Sequence, residues 1–147
     1  MLATQREGNR RLTETLRPVR ISASQAEILG VLAGAGPMSL SALGRRIVCE
    51  SGSPSRTVDL LVRRGLVNRV QSTKDRRYVD LEITPAGSDL LPMIIEGVNR
   101  LDQGIAASLQ PQERAELNRL LTRLLGDAEA LAAIDLRCGP LGAVAAD

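Results

Sequence analysis

The stretch from Ser51 to Arg77, SGSPSRTVDLLVRRGLVNRVQSTKDRR, constrains this chain most tightly. Ser53 before Pro54 predicts an N-cap and a first helical position, because proline lacks only an N–H that would be unpaired there. From there Val58, Leu61 and Val62 recur on one helical face, while Ser55, Arg56, Asp59 and Arg63 fall on the other. Gly65 supplies the left-handed residue that ends helices. Leu66 to Val70 and Tyr78 to Ile83 then read as two strands, joined by the basic turn Gln71-Ser72-Thr73-Lys74-Asp75-Arg76-Arg77. A short helix with a polar outer face, followed by a basic hairpin, suits the major groove of a duplex and the minor groove beside it.

Charge is distributed to the same effect. The chain of 147 residues has a net charge of only +2, which by itself points to no partner. Between Ser41 and Asp80, however, Arg45, Arg46, Arg56, Arg63, Arg64, Arg69, Lys74, Arg76 and Arg77 face only Glu50, Asp59, Asp75 and Asp80, a surplus of five positive charges. From Leu81 onward five arginines face ten acids. One end suits polyanions and the other does not. A single charge run is usually a solvated surface; its coincidence with the helix-and-hairpin pattern favours a functional role.

The rest of the chain predicts helices around this unit. Met1 to Arg20 is weakly patterned, with Leu12 and Leu16 four apart and Gly8 an interruption, and is expected to begin late or fray. Ser22 with Gln25, or Ser24 with Glu27, makes a capping box for a helix whose core face is Ile28, Leu29 and Leu32. Ser39 caps another, running from Leu40 to about Val48 with Leu40, Leu43 and Ile47 inward. In the hairpin Val79, Leu81 and Ile83 should face inward, with Tyr78, Asp80 and Glu82 outward. A long helix is expected from Thr84-Pro85 with Leu90, Leu91, Ile94, Ile95, Val98, Leu101 and Ile105 on its apolar side. Pro92 should kink it or delay its regular start. Gln110-Pro111 opens a last helix whose Leu117, Leu120, Leu121, Leu124 and Leu125 form a stripe ended by Gly126. Residues 127–136 add one helical segment, and the Ala/Gly/Val end reads as a loose tail.

The apolar fraction of 44% supports a core, but aromatics are only 1%, so that core must be aliphatic. Histidine is absent, which removes the usual general base and zinc ligand. Gly34-Ala35-Gly36-Pro37 lies between helices and makes no phosphate loop. No cofactor, metal site or enzymatic activity is expected. Cys49 and Cys138 form no disulfide framework; Cys49 reads as a small buried residue in a turn. Neither a signal peptide nor a membrane-length apolar run is present, so a cytoplasmic protein is expected.

Six pieces in order carry a resemblance: Ile21-Ser22-Ala23-Ser24-Gln25, Gly36-Pro37-Met38-Ser39, Arg56-Thr57-Val58-Asp59, Arg64-Gly65-Leu66-Val67, Asp75-Arg76-Arg77 and Leu81-Glu82-Ile83-Thr84-Pro85-Ala86-Gly87. Each alone is weak, but together, from about Ile21 to Leu125, they resemble the MarR-type winged helix-turn-helix transcriptional regulators. The resemblance implies a mostly α fold with a small β wing: a winged helix-turn-helix DNA-binding lobe plus terminal dimerisation helices. Residues 1–20 would be an N-terminal dimerisation arm, 21–84 the DNA-binding lobe, 85–126 the dimerisation helices and 127–147 a C-terminal extension. It further implies a homodimeric repressor on a pseudo-palindromic double-stranded operator, relieved by a small anionic or apolar ligand bound between lobe and dimer helices.

Within that resemblance Asp75 would hold the Arg77 guanidinium at the wing tip, aimed into the minor groove, with Lys74 and Arg76 beside it. The plain alternative is an exposed hairpin pair worth at most about 1 kcal/mol. Arg56, Ser53 and Ser55 are candidates for the major groove, where arginine can take guanine bidentately. The alternative for Ser53 is helix capping. Arg63, with Arg45, Arg46 and Arg64, suits phosphate. Glu50-Ser51-Gly52-Ser53-Pro54 departs from the family's usual helix opening, so the recognition helix is expected up to a turn late. The rival reading is a winged-helix protein-interaction module without specific DNA readout.

Overall fold

The computed structural model describes residues 2–48, 53–73 and 75–125. In order they form α1 (Leu2–Leu16), a 3-10 turn (Arg17–Val19), α2 (Ala23–Ala35), α3 (Leu40–Gly44), α4 (Pro54–Arg63), β1 (Val67–Gln71), β2 (Val79–Ile83), α5 (Pro85–Ser88), α6 (Leu91–Ala106) and α7 (Pro111–Leu125). The expected helix at 127–136, the tail, both cysteines and the turn residues 49–52 lie outside the described residues, as does Lys74.

Helix α2 is the centre of the lobe. Its capping box is the Ser22–Gln25 one: the Ser22 hydroxyl accepts from the Gln25 N–H, and the Gln25 side chain accepts from the Ser22 N–H. Ile28, Leu29, Val31 and Leu32 bury against Leu16, Ile21, Leu43, Val58, Leu61, Val67, Leu81 and Ile94. The core is wholly aliphatic, as the near-absence of aromatics requires. Each fully buried member contributes about 1.5–3 kcal/mol of transfer free energy.

Helices α1 and α3 differ from expectation. The N-terminal segment neither begins late nor frays: α1 is helical from Leu2, through Gly8, to the buried Leu16. Its outer side is laced by Arg10 and Arg11 on Glu7, each at 2.7 Å, and by Arg10 on Glu14 at 2.7 Å. Helix α3 stops at Gly44 instead of about Val48. The chain leaves the helix through a tighter turn, Arg46 N–H to the Leu43 carbonyl at 2.9 Å, and the Val48 N–H then donates to the Glu27 carboxylate at 2.8 Å. Ser39 caps α3 and Leu43 is fully buried, both as expected.

The wing pairs β1 and β2 antiparallel from Val67↔Ile83 to Gln71↔Val79, each strand within one residue of the predicted bounds. Met38, ahead of α3, forms a bridge to Leu81 on β2's other side, with N–H···O distances of 3.1 and 2.8 Å. Leu81 is buried and Ile83 half-buried, but Val79 is 52% exposed rather than inward. It sits at the far end of a hairpin that projects beyond the core.

The long helix predicted from Pro85 is two. Thr84 caps the single turn of α5, and α6 starts at Leu91 with Pro92 in its first turn, where the missing N–H costs nothing. Proline thus delays the regular start rather than kinking it. Gly87 lies so close to β1 that a Cβ there would overlap the Leu66 carbonyl oxygen and come within 2.8 Å of Ile83. Helix α6 packs on α1, with Gly97 beside the Thr15 methyl. No described helix is long and apolar enough to cross a membrane.

Candidate nucleic-acid interface

Helix α4 turns its two sides to different media. Val58 and Leu61 are fully buried, Thr57 is buried and Val62 packs at the core's edge. Arg56, Leu60 and Arg63 are exposed on the opposite side. Pro54 is the first helical residue and Ser53 the N-cap, but the Ser53 side chain makes no capping hydrogen bond. The capping alternative for Ser53 therefore loses its support, and the hydroxyl stays exposed beside the start of the helix. Ser55 is half-buried and turned away from the line of Arg56 and Arg63. Gly65, at φ +69, ends the helix as its sequence predicts.

Three polar bonds that sequence reasoning missed fix this helix in place. Arg69 of β1 meets Asp59 of α4 at 2.6 Å, tying helix to wing. Arg69 had counted among the bases available to a polyanion; instead it neutralises the acid on the recognition face. The clue was Asp59 itself, an acid standing among arginines. Arg64 donates to the Arg20 carbonyl at 2.6 Å, and Arg20 is the one non-glycine among the described residues at positive φ (52°). The Thr84 hydroxyl, which caps α5 as expected by accepting the Gly87 N–H at 3.1 Å, also donates to the Gly65 carbonyl at 2.7 Å. No sequence spacing announces contacts of this range.

At the wing tip the chain closes on itself. Ser72 N–H donates to the Tyr78 carbonyl at 2.9 Å, Tyr78 N–H to the Asp75 carbonyl at 3.0 Å, and the Gln71 amide to the Arg76 carbonyl at 2.8 Å. Asp75 accepts from Arg77 Nη2 at 2.8 Å, from Nε at 3.1 and 3.2 Å, and from its backbone N–H at 3.0 Å. The Arg77 side chain is nonetheless 84% exposed, against 33% for Asp75. The carboxylate thus holds the base of the guanidinium fork and leaves its outer edge to solvent. Bonds from the Arg77 side chain, then from its backbone, hold the Asp75 carboxyl below the ordinary aspartate range. The same side-chain bond raises Arg77. Arg76 is exposed beside them.

Arg45 and Arg46 bond back within α3, to the Ser41 hydroxyl at 3.1 Å and the Ala42 carbonyl at 3.2 Å. Among the described residues no group of three His, Cys, Asp or Glu side chains could hold a metal ion. What remains is an arginine-bearing helix face and an arginine-bearing hairpin tip, on elements joined by the Asp59–Arg69 pair.

Comparison with known proteins bears on this unit directly. The winged helix DNA-binding domain family matches residues 21–87. A putative transcriptional regulatory protein for the hcr operon of Thauera aromatica is 37% identical over 97 residues, covering 66% of this chain and 58% of that relative. The multiple antibiotic resistance protein MarR of Escherichia coli is 29% identical over 118 residues, covering 80% of this chain and 82% of the relative. The crystal structure of a mutant of that MarR complexed with operator DNA superposes with a TM-score of 0.75 at 28% identity, covering 83% and 88% of the two chains.

Proposed function

Because this chain belongs to the MarR-type winged helix-turn-helix family of transcriptional regulators, we propose that it is a sequence-specific double-stranded DNA-binding repressor acting as a homodimer. The observation that carries the reading is the pairing of two exposed arginine sites on one unit. Arg56 stands unobstructed on the outer face of α4, and Arg77 is oriented by Asp75 with its outer edge free. Ser53, Arg56 and Arg63 would lie along the major groove, and Arg76 and Arg77, with Lys74, would follow the minor groove and phosphates. Ser55, half-buried, would contribute less than its neighbours. Asp75 would act only through Arg77.

The same reading assigns 21–84 to DNA binding and 1–20 with 85–126 to dimerisation. Exposed Leu117, Leu120, Leu121 and Leu124 on α7, with Met93 and Ile95 on α6, support the dimer. Ile94, which had been counted with that apolar surface, is buried in the chain's own lobe. A pseudo-palindromic operator follows from two-fold symmetry. A small anionic or apolar ligand between lobe and dimer helices, and a cytoplasmic location, are the family-based parts of the proposal.

The test is recovery of genomic fragments bound by the protein, followed by titration of a recovered site and a scrambled duplex at two salt concentrations. A cognate preference with steep salt dependence is expected. Weak, salt-insensitive binding without sequence preference would instead indicate a module that binds protein partners.

A further inference from the structure

The outer face of α4 holds one residue unlike its surroundings. Leu60 is 42% exposed. Its neighbours one turn away on the helix are Arg56 on one side and Arg63 and Arg64 on the other, all exposed. Helical side chains lean toward the N-terminus, so the Leu60 isobutyl group covers the surface over the turn that carries Arg56. The acid on this face, Asp59, is already bonded to Arg69 at 2.6 Å. An apolar spot flanked along the helix by the exposed Arg56 and Arg63, with Arg64 engaged on the Arg20 carbonyl, suits a polyanion that carries a small apolar group within its field of charge. A duplex offers that group in one place on its major-groove edge, the 5-methyl of thymine.

We propose that Leu60 is a specificity-determining residue that packs on the 5-methyl group of a thymine in each half-site, beside the contacts of Arg56 and Arg63. The proposal rests on the DNA-reading role of α4 given above. The competing account is that Leu60 serves only helix formation, since leucine is a good helix former and lone exposed apolar residues are common. That account gives no dependence on the bases.

Deoxyuridine separates the two, because it removes the thymine methyl and nothing else. Each thymine of a recovered operator is replaced in turn, symmetrically in both half-sites. Wild-type affinity should fall about fourfold per half-site at one position, the effect of one buried methyl-sized group. Leu60→Ala should bind the intact operator more weakly by a similar factor and lose nothing further when that thymine is replaced. Leu60→Met, which keeps the apolar reach, should retain the sensitivity and so control for folding. Specific binding that no deoxyuridine substitution alters, or a loss that persists in full in Leu60→Ala, would overturn the role of Leu60 and leave the DNA-binding reading intact. A wild-type protein that selects no operator would remove both together, and is recognised before any variant is made.

Discussion

Arg56 and Arg77 are both exposed, yet they are held in different ways, and their substitutions should differ accordingly. Arg56 is the third residue of α4 and is free to choose its partner. If it reads guanine bidentately, Arg56→Ala should cost about 1–3 kcal/mol on the cognate operator and relax preference at one position per half-site. Equal losses on cognate and scrambled duplexes would make it a phosphate contact instead. Arg77 is pre-oriented by Asp75, so Arg77→Ala should weaken both duplexes to a similar degree, and Asp75→Ala should weaken them less, through lost orientation. Unchanged affinity in both variants at physiological salt would move the contact away from the wing tip. The sign of the pH effect follows from the depressed Asp75 carboxyl. Its pairing is fully present above the ordinary aspartate range and is lost only as pH falls through the lowered value. Wing-dependent affinity should therefore survive mild acid, and titration of the Asp75 carboxyl by NMR at an ordinary midpoint would contradict the pairing.

Among the elements, the joint between β1 and α5 is the least tolerant. At Gly87 any side chain would press on the Leu66 backbone, which cannot swing aside as a flexible side chain could. Gly87→Ala should destabilise the lobe by about 1–3 kcal/mol, read from the urea midpoint. An unaltered midpoint would mean that α5 can lift from the strand at little cost. Which elements the sequence revealed follows from the range of the forces that make them. The caps at Ser22, Ser39 and Thr84, the Gly65 stop and the Val58–Leu61–Val62 face are local, and they stand where their residues predict. The wing-tip pair spans two residues and was equally legible. The early end of α3 was not, and the chain beyond it is held by Glu27, 21 residues away from Val48. Arg64–Arg20, 44 residues apart, is hidden for the same reason. Helix α1, expected to begin late or fray, was hard to place because it carries exposed charge pairs and packs on α6 in place of a clear apolar stripe.

At the scale of the whole molecule, the described residues leave the leucine side of α7 uncovered, with Leu117, Leu120, Leu121 and Leu124 at helical spacing and all exposed. Light scattering at micromolar concentration should therefore give twice the chain mass of 15.7 kDa, and Leu120→Glu with Leu124→Glu should return it toward one. A wild-type monomer would end the dimer proposal. The reading helix is held at its C-terminal corner as well as by its buried face and the Asp59–Arg69 pair. Arg64 reaches the Arg20 carbonyl behind α1, and the next residue, Gly65, receives the Thr84 hydroxyl at the head of α5. Helix α4 has 10 residues and so extends about 15 Å from that corner. A swing of about 10° there carries its first turn about 2.6 Å, against a base-pair rise of about 3.4 Å. A rotation of that size would take the helix most of the way from one base pair to the next, and the buried Val58 and Leu61 with the Asp59–Arg69 pair are what oppose it.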